Sequence, residues 1–263
     1  MFSNLNDVEG VYFSAIHQFS KGNWLYINPY NYNSNYFFHY PVYLVLGKIV
    51  GLTGWPVAFV YHASSAILTF VFCLAIFSIL KLYFLNKQKI LSVFFLINFA
   101  GLLSISVPES NAFFSYSFPN FIVAQLALLG SIFYLTKFSA SRKLAYLPAI
   151  LLSTFVLAST HPRMVAPLIA SWCLHSVFLF RKTGGRLRLI FCTVLLVFVS
   201  IPWLIYYKSK IFWTSFHLES GAGLIFLLYG ALFFFAILGL IKTLRKKETH
   251  PFGFLGAWFL VEL

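Results

Sequence analysis

Arg181-Lys182-Thr183-Gly184-Gly185-Arg186-Leu187-Arg188 is followed by a run, 189–207, that carries no charge at all. A cationic cluster set against about 20 apolar residues reads as a membrane-spanning helix whose basic flank stays in the cytoplasm. The same pattern recurs in both directions. Lys81/Lys87/Lys89 and Lys137/Arg142/Lys143 precede it, Lys242/Arg245/Lys246/Lys247 follows it, and two apolar runs separate each neighbouring pair. If every run crosses a bilayer, all four clusters fall on one side. Dragging Lys and Arg through hydrocarbon is costly and the inner leaflet is anionic, so that side is cytoplasmic.

Composition agrees. The 263 residues are 60% hydrophobic and 10% charged, with mean hydropathy +0.84, where a soluble domain carries about 25% charged residues. The net charge of +13 does not argue for nucleic acid, because most of the cations sit in the four clusters and face anionic lipid. Lys21, Lys48, Arg163, Lys208 and Lys210 lie elsewhere. Cys73, Cys173 and Cys192 each sit inside an apolar run and read as small buried hydrophobes, not as a redox pair or metal set.

The expected fold is all-α: a polytopic transmembrane bundle of about seven complete spans and one truncated span. The spans are placed at 56–80, 90–107, 120–136, 144–159, 164–180, 189–207 and 222–241, with the eighth starting at Pro251. The runs 144–159 and 164–180 are short and call for extension into their flanks or a thin bilayer. Loops 85–89, 137–143, 181–188 and 242–249 are then cytoplasmic. Segments 108–119, 160–163 and 208–221 are extracytoplasmic. Two units follow: residues 1–55, an extracytoplasmic first loop with juxtamembrane helices, and 56–263, a single membrane domain. Within the first, 37–51 is apolar but short and holds Lys48, so it reads as a helix along the interface, started by Pro41. The alternative is a short crossing that would put 1–36 inside. An exported first loop without a signal sequence before it, and an end in mid-helix at Val261-Glu262-Leu263, suggest a fragment.

Acids are scarce, which makes their positions informative. Asn6-Asp7-Val8-Glu9-Gly10-Val11-Tyr12 places two carboxylates ahead of a helical stretch, Val11–Phe19. Tyr12, Ala15, Ile16 and Phe19 share one face, so this stretch is expected to lie on the membrane with Asp7 as its N-cap. A cap alone accounts for Asp7. The functional reading makes Asp7, or Glu9 in its place, a general base that deprotonates an incoming hydroxyl, partial desolvation raising its basicity. Glu109, in Pro108-Glu109-Ser110-Asn111, is the only acid between Glu9 and Glu219. Folded back on Asp7, it would form a hard-oxygen site for Mg²⁺ or Mn²⁺; as a loop acid it would simply face water. In the outer turn His161-Pro162-Arg163, Arg163 offers a donor fork suited to phosphate and His161 a proton for a phosphate leaving group. Headgroup snorkelling is the bland account of that Arg. Asn23-Trp24-Leu25-Tyr26 through Asn33 is rich in rings and amides, which fits either sugar stacking or an aromatic belt. Tyr12 and His39 are further candidates to line a substrate. His62, Gln125 and His175 read as groups packed between helices.

Taken together, these stretches resemble the GT-C superfamily of integral-membrane glycosyltransferases, in particular bacterial protein mannosyltransferase-like and aminoarabinose transferase-like members. The resemblance is carried by Asn6-Asp7 with Tyr12, by Gly22-Asn23-Trp24, and by the juxtamembrane stretch Tyr40-Pro41-Val42-Tyr43-Leu44-Val45-Leu46-Gly47-Lys48. The turn Gly51-Leu52-Thr53-Gly54 follows it. Pro108-Glu109-Ser110-Asn111, Pro119-Asn120-Phe121 and His161-Pro162 resemble later outer-loop elements. The resemblance implies transfer of a sugar from a polyprenyl-phosphate donor at the outer membrane face. It implies Asp7 as base or metal ligand, Glu109 as a second acid and Arg163 as a contact for the carrier phosphate. The family's helix before the acidic loop is missing here. Partners on this reading are membrane lipid and the lipid-linked donor, with no nucleic acid. A lipid-linked glycan transporter and a non-catalytic membrane fragment are the competing readings.

Overall fold

A computed structural model describes residues 4–24, 40–83, 86–92, 94, 119–161, 164–180 and 186–211. Every regular element among them is helical: α1 (Asn4–Ser20), α2 (Tyr40–Thr53), α3 (Val57–Tyr83), α4 (Pro119–Ser141), a 3₁₀ turn at Leu144–Tyr146, α5 (Leu147–Thr160), α6 (Val165–Phe180) and α7 (Arg186–Ile211). The all-α expectation therefore holds. Three helices are long and apolar enough to cross a membrane: Val57–Leu82, Pro119–Ser141 and Arg186–Trp203, of 26, 23 and 18 residues. The expected spans at 144–159 and 164–180 form helices, but α5 with its 14 residues rises only about 21 Å against a hydrocarbon core of about 30 Å. Seven crossings are thus not what the described helices display. The expected spans 222–241 and that beginning at Pro251, and most of 90–107, lie outside the described residues.

Helix bounds correct two further expectations. α1 begins at Asn4, so Asp7 is its fourth residue and not a cap at the start of a helix from Val11. α4 runs through Lys137 to Ser141, which absorbs part of the loop placed at 137–143. Its end is set by Arg142, at φ +56°, whose N–H bonds the Phe138 carbonyl at 2.8 Å. This is a left-handed C-terminal cap made without glycine.

The periodic face of α1 is real, but it meets protein. Ala15, Ile16 and Phe19 are fully buried together with Tyr43, Leu46 and Val50 of α2. Two glycines let the backbones approach. A Cβ on Gly47 would collide with the Phe19 Cβ and come to 2.9 Å from the Ile16 carbonyl oxygen; one on Gly51 would come to 2.8 Å from the Ser20 carbonyl oxygen. Lys48, the cation that argued against a crossing, places its ammonium 4.7 Å from the Trp24 ring centroid, a cation–π contact.

A second core joins α4 to α7 around Phe138, Ile150, Leu157, Leu168 and Trp172. Small polar residues line its seams. Ser131 on α4 donates to Ser153 on α5 at 3.0 Å and lies 3.4 Å from the Thr154 hydroxyl. The Trp172 indole N–H donates to Thr193 across α6 and α7 at 3.1 Å. Many hydroxyls fold back onto their own helix, among them Ser65, Thr69, Thr136, Thr193 and Ser200, which satisfies them where no water is at hand. The outer faces are apolar. Phe59, Ile67, Phe70 and Leu74 on α3 and Leu187, Phe191, Val194 and Phe198 on α7 are all exposed. Small polar residues inside and large apolar ones outside are the packing expected of helices that associate in lipid.

The bundle has two chemically distinct ends. At one, Phe121 of α4 stands 5.3 Å from His161, the C-terminal cap of α5. At the other, Arg188 of α7 donates to the Arg142 carbonyl at 3.1 Å. Asn120 and Arg142 are separated along α4 by about 33 Å at 1.5 Å per residue.

Candidate functional site

The first end of the bundle gathers polar groups. Tyr12 of α1 stacks on Tyr43 of α2, with ring centroids 4.7 Å apart and planes 19° from parallel. Tyr43 donates its hydroxyl proton to Asn120 Oδ1 at the start of α4. Asn120 is 1% exposed, and its amide Nδ2 has no hydrogen-bond partner among the described residues. Among the described residues the network therefore ends in a buried donor without an acceptor. Pro119 suits the first turn of α4, where its missing N–H costs no helical bond, and this fixes Asn120 at the helix mouth. On the α3 side, Phe13 meets Tyr61 and His62 edge-on at 5.1 Å and 6.0 Å.

Burial pushes the Tyr12 phenol above its ordinary value, while the hydrogen bond to Tyr43 pulls it back. Tyr43 rises well above its ordinary value, first through burial and then through the neighbouring Tyr12 and Tyr61 phenols and the Tyr12 hydrogen bond. Both are held neutral at physiological pH, as hydrogen-bonding groups and not as bases.

Beside this cluster a cavity of about 430 Å³ opens between four helices. Pro41, Val42, Val45 and Leu46 of α2, Ser64, Ile67 and Leu68 of α3, Val123 of α4, and Phe155, Val156, Ser159 and Thr160 of α5 line it. The two α5 hydroxyls bond the Val156 carbonyl, at 2.9 Å and 2.7 Å, so they present little polarity to the space. The cavity lining neighbours the cluster in sequence: Val42 precedes Tyr43, Val123 lies one turn after Asn120, and Thr160 precedes His161. A hydrocarbon chain fits such a lining.

Of the residues singled out in the sequence, Tyr12 stands in the cluster and His161 close to it, half-buried against Phe121. Asp7 and Glu9 belong to α1 by their backbone, but their side chains lie outside the description. Glu109, Arg163 and His39 fall outside the described residues, so the proposed pairing of Asp7 with Glu109 is not on view. Among the described residues no three His, Cys, Asp or Glu gather into a metal site. Tyr43 and Asn120 carry the geometry, and reading the sequence assigned neither of them a role. Their signal was a phenol and an amide, each next to a proline-marked helix start in an apolar run.

No family model, no curated protein and no solved structure matches this chain.

Proposed function

We propose that the chain is an integral-membrane glycosyltransferase of the GT-C type, working on a polyprenyl-phosphate-linked sugar at the extracytoplasmic face. One observation carries the reading: an apolar cavity of about 430 Å³ beside a buried Tyr12–Tyr43–Asn120 network whose amide donor has no acceptor among the described residues. That pairing suits a molecule with a hydrocarbon tail and a hydrogen-bonding head. The α1–α2 pair forms the extracytoplasmic unit, and α3 to α7, with the apolar runs beyond the described residues, form the membrane domain of about seven spans.

In this reading Asp7, with Glu9 as the alternative, takes the proton of the acceptor hydroxyl. His161 and Arg163 assist departure of the carrier phosphate. Glu109 with Asp7 would hold a divalent cation, which would neutralise charge on that phosphate. Asn120 Nδ2 would bond an oxygen of the donor head. The test is sugar transfer from a radiolabelled polyprenyl-phosphate sugar in membranes holding the full-length protein. Asp7→Asn should abolish transfer at unchanged protein level, and retained turnover would remove Asp7 from the mechanism.

A lipid-linked glycan transporter is the second reading. It is favoured by buried Ser171, His175 and Ser176 on α6, since polar groups within a span commonly line transport paths. Movement of intact donor across vesicles without sugar transfer would select it.

A further inference from the structure

The end of the bundle opposite the Tyr–Asn cluster carries a second arrangement that sugar transfer does not use. Two basic clusters, far apart in sequence, meet there. Arg142 and Lys143 cap α4, Arg186 and Arg188 open α7, and the Arg188 guanidinium donates to the Arg142 carbonyl at 3.1 Å. That bond uses one of the five N–H groups of Arg188, whose side chain is otherwise exposed, as are those of Lys143 and Arg186. Among the described residues the only carboxylates are Asp7 and Glu9 of α1, which packs at the other end. Four cations are thus concentrated at this end.

An apolar groove of about 490 Å³ starts at this cluster. Leu187, Ile190, Phe191 and Val194 of α7 line it with Leu144, and Arg188 forms its polar edge. The four α7 positions follow i, i+3, i+4, i+7, one stripe of the helix. All four are exposed, from 50% at Ile190 to 82% at Leu187. The stripe continues through Val197, Phe198, Ile201 and Ile205, so the groove leads onto an apolar helix face.

We propose that this end binds one anionic phospholipid, its headgroup phosphate held by Arg188, Arg186, Lys143 and Arg142 and one acyl chain lying along the Leu187–Val194 stripe. Charge complementarity selects the occupant. A cationic rim of this density attracts a phosphate that carries net negative charge and repels a choline headgroup. Guanidinium forks match phosphate oxygens in pairs. Free phosphate would use the rim but leave the groove uncovered, so a lipid satisfies both halves of the site. The bound lipid would tie α4 to α7 from outside, across the same junction that the Arg188–Arg142 bond closes from within. The inference needs these helices to lie in a bilayer and is independent of the sugar-transfer reading; its test contains no sugar donor, so the two fail separately.

The experiment is thermal unfolding of the full chain, delipidated in a neutral detergent, with added dioleoyl phosphatidylglycerol, dioleoyl phosphatidylcholine or inorganic phosphate at matched phosphate concentration. A ligand that binds only the folded state raises the unfolding midpoint. Phosphatidylglycerol should raise it, and the other two should raise it far less. Lys143→Gln with Arg186→Gln, which leaves the Arg188–Arg142 bond in place, should weaken phosphatidylglycerol binding roughly tenfold or more. Phe191→Ser should weaken it too, and should not alter the response to inorganic phosphate. Equal protection by phosphatidylcholine, equal protection by inorganic phosphate, or full preference retained in the double variant would each overturn the proposal.

Discussion

Tyr43 is the residue whose chemistry is most constrained. It stacks on Tyr12, donates to Asn120 and is fully buried. Removing its hydroxyl leaves the Asn120 carbonyl oxygen buried without its donor, at a cost of about 1–3 kcal/mol. Tyr43→Phe should therefore lower the unfolding midpoint by that equivalent, while Tyr12→Phe, at the outer end of the relay, should cost less. The same residues set an alkaline limit. Their folded pKa values lie above the ordinary phenol value. Below about pH 10 both folded and unfolded phenols are protonated and the stabilisation is intact. As pH climbs past that, the unfolded state loses protons first, so stability falls with rising pH until the folded phenols also ionise. Stability measured from pH 8 to 11 should fall more steeply in the parent than in a Tyr12→Phe, Tyr43→Phe double variant. Equal slopes would mean that the phenols titrate alike in both states.

At the scale of elements, the close contact of α1 with α2 depends on the absence of one carbon atom. Gly47→Ala forces a Cβ against Phe19 and the Ile16 carbonyl, an overpacking worth about 1–3 kcal/mol, and the backbone on one side of the contact cannot yield as a side chain does. Gly130→Ala is the matched control. Its Cβ would meet only the Ser153 Cβ at 3.4 Å, and alanine is the better helix former by up to about 1 kcal/mol, so its midpoint should hold or rise. A Gly47→Ala protein as stable as the parent would show that the two helices separate freely. The contrast also marks how far the sequence could be read. Helix positions were legible because long apolar runs and flanking charge act locally: α3, α4 and α7 match the expected runs 56–80, 120–136 and 189–207 to within a few residues at most ends. The face of α1 was legible as well, since Ala15, Ile16 and Phe19 follow the helical period. Its partner was not. A period of 3.6 says which side is buried, and the same stripe serves for lipid or for another helix. Only the pair of small residues Gly47 and Gly51, a turn apart on α2, hinted at protein. The Tyr43–Asn120 bond spans 77 positions in sequence, and no local pattern encodes such a pairing.

For the whole molecule, the separation of its two ends governs everything proposed. The Tyr–Asn cluster and the apolar cavity beside it belong to one end; Arg142, Lys143, Arg186 and Arg188 belong to the other, about 33 Å away along α4. Three helices between them are long and apolar enough to cross a bilayer. Cations within reach of a translocating helix end stay on the cytoplasmic side, because carrying each through hydrocarbon costs about 2.5–3.5 kcal/mol on insertion scales. On the proposed reading the polar cluster faces the opposite compartment, the side on which a lipid-linked sugar donor would be met. Two exposed positions report on this. Asn23, after α1, is exposed, as is Lys143, after α4. In intact cells, a membrane-impermeant maleimide should label Asn23→Cys directly and Lys143→Cys only after permeabilisation. Cys73, Cys173 and Cys192 are replaced by Ala in both variants so that the signal has one source. Labelling of Lys143→Cys from outside, with Asn23→Cys protected, would invert the molecule. It would place the Tyr–Asn cluster in the cytoplasm and remove the basis for sugar transfer at the outer face, while leaving the cationic lipid site to be judged by its own binding.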